Sequence, residues 1–155
     1  MIVVADTSPI NYLLLIKEID ILPKMYGKVV ILRAVHEELL RVVAPEIVRA
    51  WIGEAPVGSR FALPWGAPDP SLTKLDPGER DAIMLAIELR ADQLIVDDRE
   101  GRKHAEERRI PVIGKLGVLK EAATLGLLDL RVSVERLQTT SFYVAPEVLR
   151  SLLND

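Results

Sequence analysis

Apolar residues arrive in two distinct rhythms along this chain. Met1–Ala5 (MIVVA) is a continuous apolar run rich in β-branched residues, and it stops abruptly at Asp6-Thr7-Ser8-Pro9. Runs that are apolar at every position, not every second one, mark strands covered on both faces. The same rhythm returns at Lys28–Leu32 (KVVIL), at Gln93–Val96 (QLIV) and, more briefly, at Pro111–Ile113. Between these runs the spacing becomes helical. Pro9, at a first helical position, together with Leu13, Leu14, Ile16 and Ile19, predicts a helix over residues 9–22. Residues 33–43 place Val35, Leu39 and Val43 on one stripe, and residues 45–52 form a further helical stretch that ends at Gly53. The strongest helix is predicted at 77–90, with Asp76 as N-cap, Pro77 at N1 and Glu79 at N3 ahead of a nearly all-apolar body, AIMLAIEL. Shorter helices are predicted at about 100–109, about 116–125 and Ala145–Leu153. Residues 53–78, dense in proline and glycine, read as an irregular connection or a strand-poor flap. Strands alternating with helices predict an α/β fold, a doubly wound and mostly parallel sheet with helices on both faces.

Composition narrows the chemistry. A chain of 155 residues suits one domain with a real core, and 49% apolar with 28% charged residues is an ordinary globular balance. No apolar run reaches the length of a membrane span, and the apolar start lacks the basic flank and cleavage site of a signal peptide, so it reads as a strand. There is no cysteine, which removes thiol nucleophiles, disulfides and cysteine zinc sites and fits a cytoplasmic location. The two histidines, His36 and His104, are too few for a histidine-rich metal site and are expected at the surface. Any metal would be a hard cation held by carboxylates, Mg²⁺ or Mn²⁺. With a net charge of −3, nucleic-acid binding would need a local basic patch and a cation to offset the acids.

The acids are placed suggestively. Asp6 ends the first strand, Glu38 lies just after the second, Glu79 and Asp81 open the apolar helix, and Asp97-Asp98 follow the strand at 93–96. In open α/β sheets, strand C-termini and the helix starts after them converge on one edge, where ligands bind. Carboxylates gathered there can hold one or two divalent ions, and two such ions clamp the attacking and leaving oxygens of a phosphodiester. Each acid also has a purely structural role open to it. Asp6 can cap the helix after it, Glu79 can offset its helix dipole, and Glu37 and Glu38 can sit on a solvated face. Adjacent carboxylates at Asp97-Asp98 repel unless a cation, Arg99 or Arg102 compensates them. The basic run Arg99, Arg102, Lys103, Arg108, Arg109 and Lys115 can grip RNA phosphates or pair with Glu106 and Glu107. Trp51 and Trp65 can stack bases, and Trp65, between Pro64 and Gly66, fits a flap or dimer contact.

Four stretches in order, Val4-Ala5-Asp6-Thr7-Ser8, Val35-x-x-Glu38-Leu39, Leu75 to Ile83 (LDPGERDAI) and Leu94 to Arg102 (LIVDDREGR), resemble the PIN-domain nucleases, including the VapC toxins of toxin–antitoxin pairs. The resemblance covers roughly residues 1–128, leaving 129–155 as a C-terminal extension packing on the same domain. It implies a five-stranded parallel sheet and Mg²⁺- or Mn²⁺-dependent cleavage of single-stranded RNA, leaving a 5′-phosphate and a 3′-hydroxyl. Its acidic residues carry over as Asp6, Glu38, Glu79 or Asp81, and Asp97 or Asp98. Glu79 fits this branch's Gly-Glu motif, and Glu79 and Asp81 lie about 200° apart on a helix, so one of the pair faces the site. Asp6, Glu38, Glu79 and Asp98 are the expected catalytic set, with Thr7 or Ser8 orienting Asp6 and Arg99, Arg102 and Lys103 touching RNA. The pattern departs from the common one at Val96, where many relatives carry threonine. A homodimer and a small antitoxin blocking the acidic groove are the implied partners, with no membrane. Two other classes compete: a catalytically silent PIN-like module that binds RNA or a partner, and a receiver-like phospho-signalling domain, whose acid pair after the first strand is missing because Thr7 follows Asp6.

Overall fold

The computed structural model describes residues 1–26, 28–32, 59–62, 70–142 and 145–154. Five parallel strands, β1 (Ile2–Ala5), β2 (Lys28–Leu32), β3 (Ser59–Ala62), β4 (Gln93–Ile95) and β5 (Val112–Ile113), form one sheet in the order β3-β2-β1-β4-β5. From β1 the chain winds outwards to β2 and β3, then returns to the other side of β1 for β4 and β5. The order therefore reverses beside β1, and the crevice beyond the carboxyl ends of β1 and β4 is the topological switch point of the sheet. The continuous apolar runs are explained by burial on both faces, since Val3, Val4, Ala5, Leu94 and Ile95 are all fully buried.

Seven helices are described: α1 (Thr7–Leu15), α2 (Ile21–Tyr26), α3 (Pro77–Glu88), α4 (Arg99–Glu107), α5 (Lys115–Thr124), α6 (Leu130–Gln138) and α7 (Pro146–Asn154). The α3 helix lies against β1, β2 and β4 and buries Ala82, Ile83, Met84, Leu85 and Ala86. Its start is as the sequence predicts, with Pro77 first and the Asp76 carboxylate accepting from the Gly78 amide at 3.0 Å. The α5 helix packs against both α1 and α6.

Three expectations are corrected. The helix predicted over 9–22 is two helices, parted by a turn in which Lys17 has φ 62°. Ile16, Ile19, Ile21 and Leu22 are all buried across this break, so the periodicity reported burial and not continuity. Within the stretch read as irregular, Ser59–Ala62 (SRFA) forms β3, an edge strand that lacks a continuous apolar run and sits in proline- and glycine-rich surroundings. In the C-terminal stretch, α6 forms where no helix was predicted, capped by Asp129, whose carboxylate accepts from the Val132 amide. The helices predicted over 33–43 and 45–52 lie outside the described residues. No helix among the described residues is long and apolar enough to cross a membrane.

The α6 helix drives Leu137 fully into the core, whereas α7 has no buried residue and leaves Val148 about half exposed. Leu137→Ala should cost about 2–5 kcal/mol in urea unfolding, and Val148→Ala no more than about 0.5 kcal/mol. Equal effects at the two positions would contradict this packing.

Candidate functional site

The strand ends at the switch point carry the acids. The Asp6 amide still donates to the Ile95 carbonyl at 2.9 Å, which ties the end of β1 to β4. Asp6 is 6% exposed. It occupies the N-cap position of α1 in extended backbone, yet its side chain makes no capping hydrogen bond. Capping therefore does not account for this buried carboxylate. It faces the start of α3: a β-carbon added at Gly78 would stand 3.8 Å from Asp6 Oδ1 and 3.7 Å from Asp76 Oδ1. The helix start thus lies within ordinary contact distance of both acids.

Glu79 follows, at the same helix start. Its carboxyl is pushed up to about 7, first by burial and then by the charges of Asp98, Asp6 and Asp76, with a hydrogen bond to Asp98 adding to the effect. Asp98 caps α4, its Oδ2 accepting from the Gly101 amide at 3.1 Å. A β-carbon at Gly101 would lie 3.3 Å from Val96 Cγ2 and 3.7 Å from Glu79 Oε2, so α4 also approaches Glu79 across a glycine. Asp6, Glu79 and Asp98 thus converge with Asp76, which the sequence marked only as a cap.

The remaining candidates lie elsewhere. Asp97 pairs with the buried Lys115, whose Nζ donates to Oδ2 at 2.7 Å. Asp81 pairs with its neighbour Arg80 at 3.2 Å. Thr7 and Ser8 form the first turn of α1, directly after Asp6. Arg99, Arg102 and Lys103 line a cavity of about 610 Å³ along α4, together with Asp97, Glu100 and Glu106. Glu38, His36, Trp51 and Trp65 lie outside the described residues. His104, expected at the surface, is instead largely covered, its buried Nδ1 without a hydrogen-bond partner among the described residues and 3.9 Å from Glu107 Oε2. The partner of Asp97 was also missed, because Lys115 read as one of a basic run. A signal was available: a lysine in the first turn of a helix opposes the helix dipole and calls for an anion beside it.

Among the described residues, no three histidine, aspartate or glutamate side chains stand close enough to hold one ion by themselves. The donor chemistry nevertheless suits a hard cation. The set is all carboxylate oxygen, and Glu79 is held towards its protonated form first by burial and then by the neighbouring acids whose charge a cation would offset.

An acidic crevice at the switch point of a β3-β2-β1-β4-β5 parallel sheet defines a class of α/β proteins, and sequence comparison specifies which. The DUF3368 family model, described as a PIN domain, matches residues 2–155, and the chain belongs to that family. PIN domains are in general nucleases. In fold the chain is similar to the solved structure of a PilT N-terminus domain protein from the hyperthermophilic archaeon Sulfolobus solfataricus P2, with a TM-score of 0.54 and 19% identity over 93% of this chain and 100% of that one. No curated protein sequence matches the chain.

The raised Glu79 carboxyl has a consequence for stability. Between its ordinary value of 4.5 and about 7 the folded chain holds a proton that the unfolded chain has lost. This contribution to stability is complete below 4.5 and disappears as pH rises through 7. In EDTA, Glu79→Gln should therefore gain several degrees in Tm relative to wild type between pH 5 and pH 8. Parallel Tm profiles for the two proteins would show that Glu79 is not crowded by the other acids.

Proposed function

We propose that this PIN domain is a divalent-cation-dependent endoribonuclease acting on single-stranded RNA. The observation that carries this reading is the convergence of Asp6, Glu79 and Asp98 at the sheet's switch point, close enough for Glu79 to keep a proton near neutrality. Together with Glu38, the fourth acid from its own segment, these carboxylates would hold Mg²⁺ or Mn²⁺. Bound there, the cation would supply an activated water and stabilise charge on the leaving oxygen. Asp6 holds a fixed position because its backbone is tied to β4, and Asp98 because its carboxylate accepts from the Gly101 amide at the α4 start. Thr7 and Ser8 orient Asp6. Arg99, Arg102 and Lys103 offset the net charge of −3 where RNA phosphates would lie, beside the acids and not on them. Cleavage would leave a 5′-phosphate and a 3′-hydroxyl. As the toxin of a toxin–antitoxin pair, the chain would form a homodimer in the cytoplasm, and a small antitoxin would block the acidic crevice.

The separation of the acids as placed favours one alternative, a catalytically silent PIN domain that binds RNA without cutting it. Labelled single-stranded RNA incubated with the protein and Mn²⁺, Mg²⁺ or EDTA separates the two. Cleavage should require the metal and fall at least about 100-fold in Asp6→Asn, whose far-UV circular dichroism should match wild type. RNA binding without cleavage under any metal would select the silent domain, and a fully active Asp6→Asn would overturn the assignment of the site.

A further inference from the structure

We propose that Lys115 is a positioning residue for the acidic site: it holds Asp97 behind the end of β4 and so fixes the direction in which Asp98 is presented to Glu79 and to a divalent cation. The inference rests on the metal-site reading above.

Lys115 is at the first position of α5, 1% exposed. Both the helix dipole and burial oppose a cation there. Asp97 compensates it with both carboxylate oxygens, Oδ1 accepting from the Lys115 amide at 2.9 Å and Oδ2 from its Nζ at 2.7 Å. Asp97 thereby serves as the anionic cap that Gly114, at the N-cap position of α5, does not provide. The fit leaves no spare room, since a β-carbon on Gly114 would lie 2.8 Å from Asp97 Oδ1.

Two aromatic rings complete the surroundings. The ammonium stands 3.5 Å from the centroid of Phe142 and 4.5 Å from that of Tyr12. The rings are 5.5 Å apart, and the Tyr12 hydroxyl pairs with Ser141 Oγ at 2.7 Å. Tyr12 belongs to α1, the helix that starts directly after Asp6. One buried cation therefore links the helix beginning at Asp6, the turn carrying Asp98 and the segment after α6.

Consecutive residues in extended backbone project to opposite sides. With Asp97 held on the α5 side and Asp98 extended at φ −61° and ψ 133°, the Asp98 carboxylate is directed to the Gly101 amide and Glu79.

Mn²⁺ titration of the full chain by calorimetry tests this, with circular dichroism confirming that each variant is folded. Wild type should bind Mn²⁺, and Asp98→Asn should abolish binding. Lys115→Met, which keeps an apolar stem between the rings, and Gly114→Ala, which displaces Asp97, should each weaken Mn²⁺ binding about tenfold or more. A purely structural role would lower Tm and leave the Mn²⁺ affinity of the folded protein intact, and that result in either folded variant would overturn the proposal. Wild type failing to bind Mn²⁺ would instead remove the metal-site reading, and this inference with it.

Discussion

Carboxylates held near one another in a half-dry crevice cannot all remain ionised without compensation, and the carboxyl edge of this sheet is organised around that repulsion. Each acid meets it differently. Glu79 retains a proton, Asp98 accepts from a helix amide, and Asp97 faces a buried ammonium. Asp6 sits closest to the core, its backbone locked to β4. Such crowding persists only because the elements beneath it cannot relax. Val3 to Ala5 and Leu94 to Val96 are packed on all sides, and the α3 body presses five consecutive buried residues against them.

Small residues stand at each of these approaches, and at Gly114 the approach to Asp97 leaves no room for a β-carbon. Gly78, Gly101 and Gly114 all sit where a β-carbon would meet or closely approach an acidic side chain. They belong to different connections, yet each stands where a helix start approaches a strand end. The chain thus brings backbone amides and carboxylates together at one edge. The basic side chains of α4 line the adjoining cavity together with Asp97, Glu100 and Glu106.

Much of this was legible in the sequence, for identifiable reasons. The runs that form β1, β2, β4 and β5 are buried on both faces or lie beside such strands, so hydrophobicity alone marked them, and Asp76-Pro77 announced α3 through cap chemistry. The parallel sheet followed from the alternation of strands and helices. What escaped detection depended on partners far away in the chain. The edge strand β3 has its sense only beside β2, α6 only through Leu137 in a core built by other segments, and Lys115 only opposite Asp97. The pair Asp97-Asp98 looked like a single feature, but extended backbone sends its two members to opposite faces, and no local pattern states which face holds the site. Glu79 and Asp81 were separable by helical angle, and Asp81 does lie with Arg80 instead of the other acids.

The central strand also imposes an order of events on synthesis. β1 is translated before the other strands of its sheet, yet Val3 takes its second neighbour from Gln93, and β4 in turn pairs with β5. At about 5–20 residues per second, the amino-terminal strand spends on the order of several seconds to tens of seconds with one edge unpaired, a long-range closure of the kind that slows folding. Asp6 accordingly emerges from the ribosome long before Glu79, Asp98 and Lys115 exist. A growing chain therefore carries its first acid as an isolated side chain until α3, β4 and the start of α5 have been made.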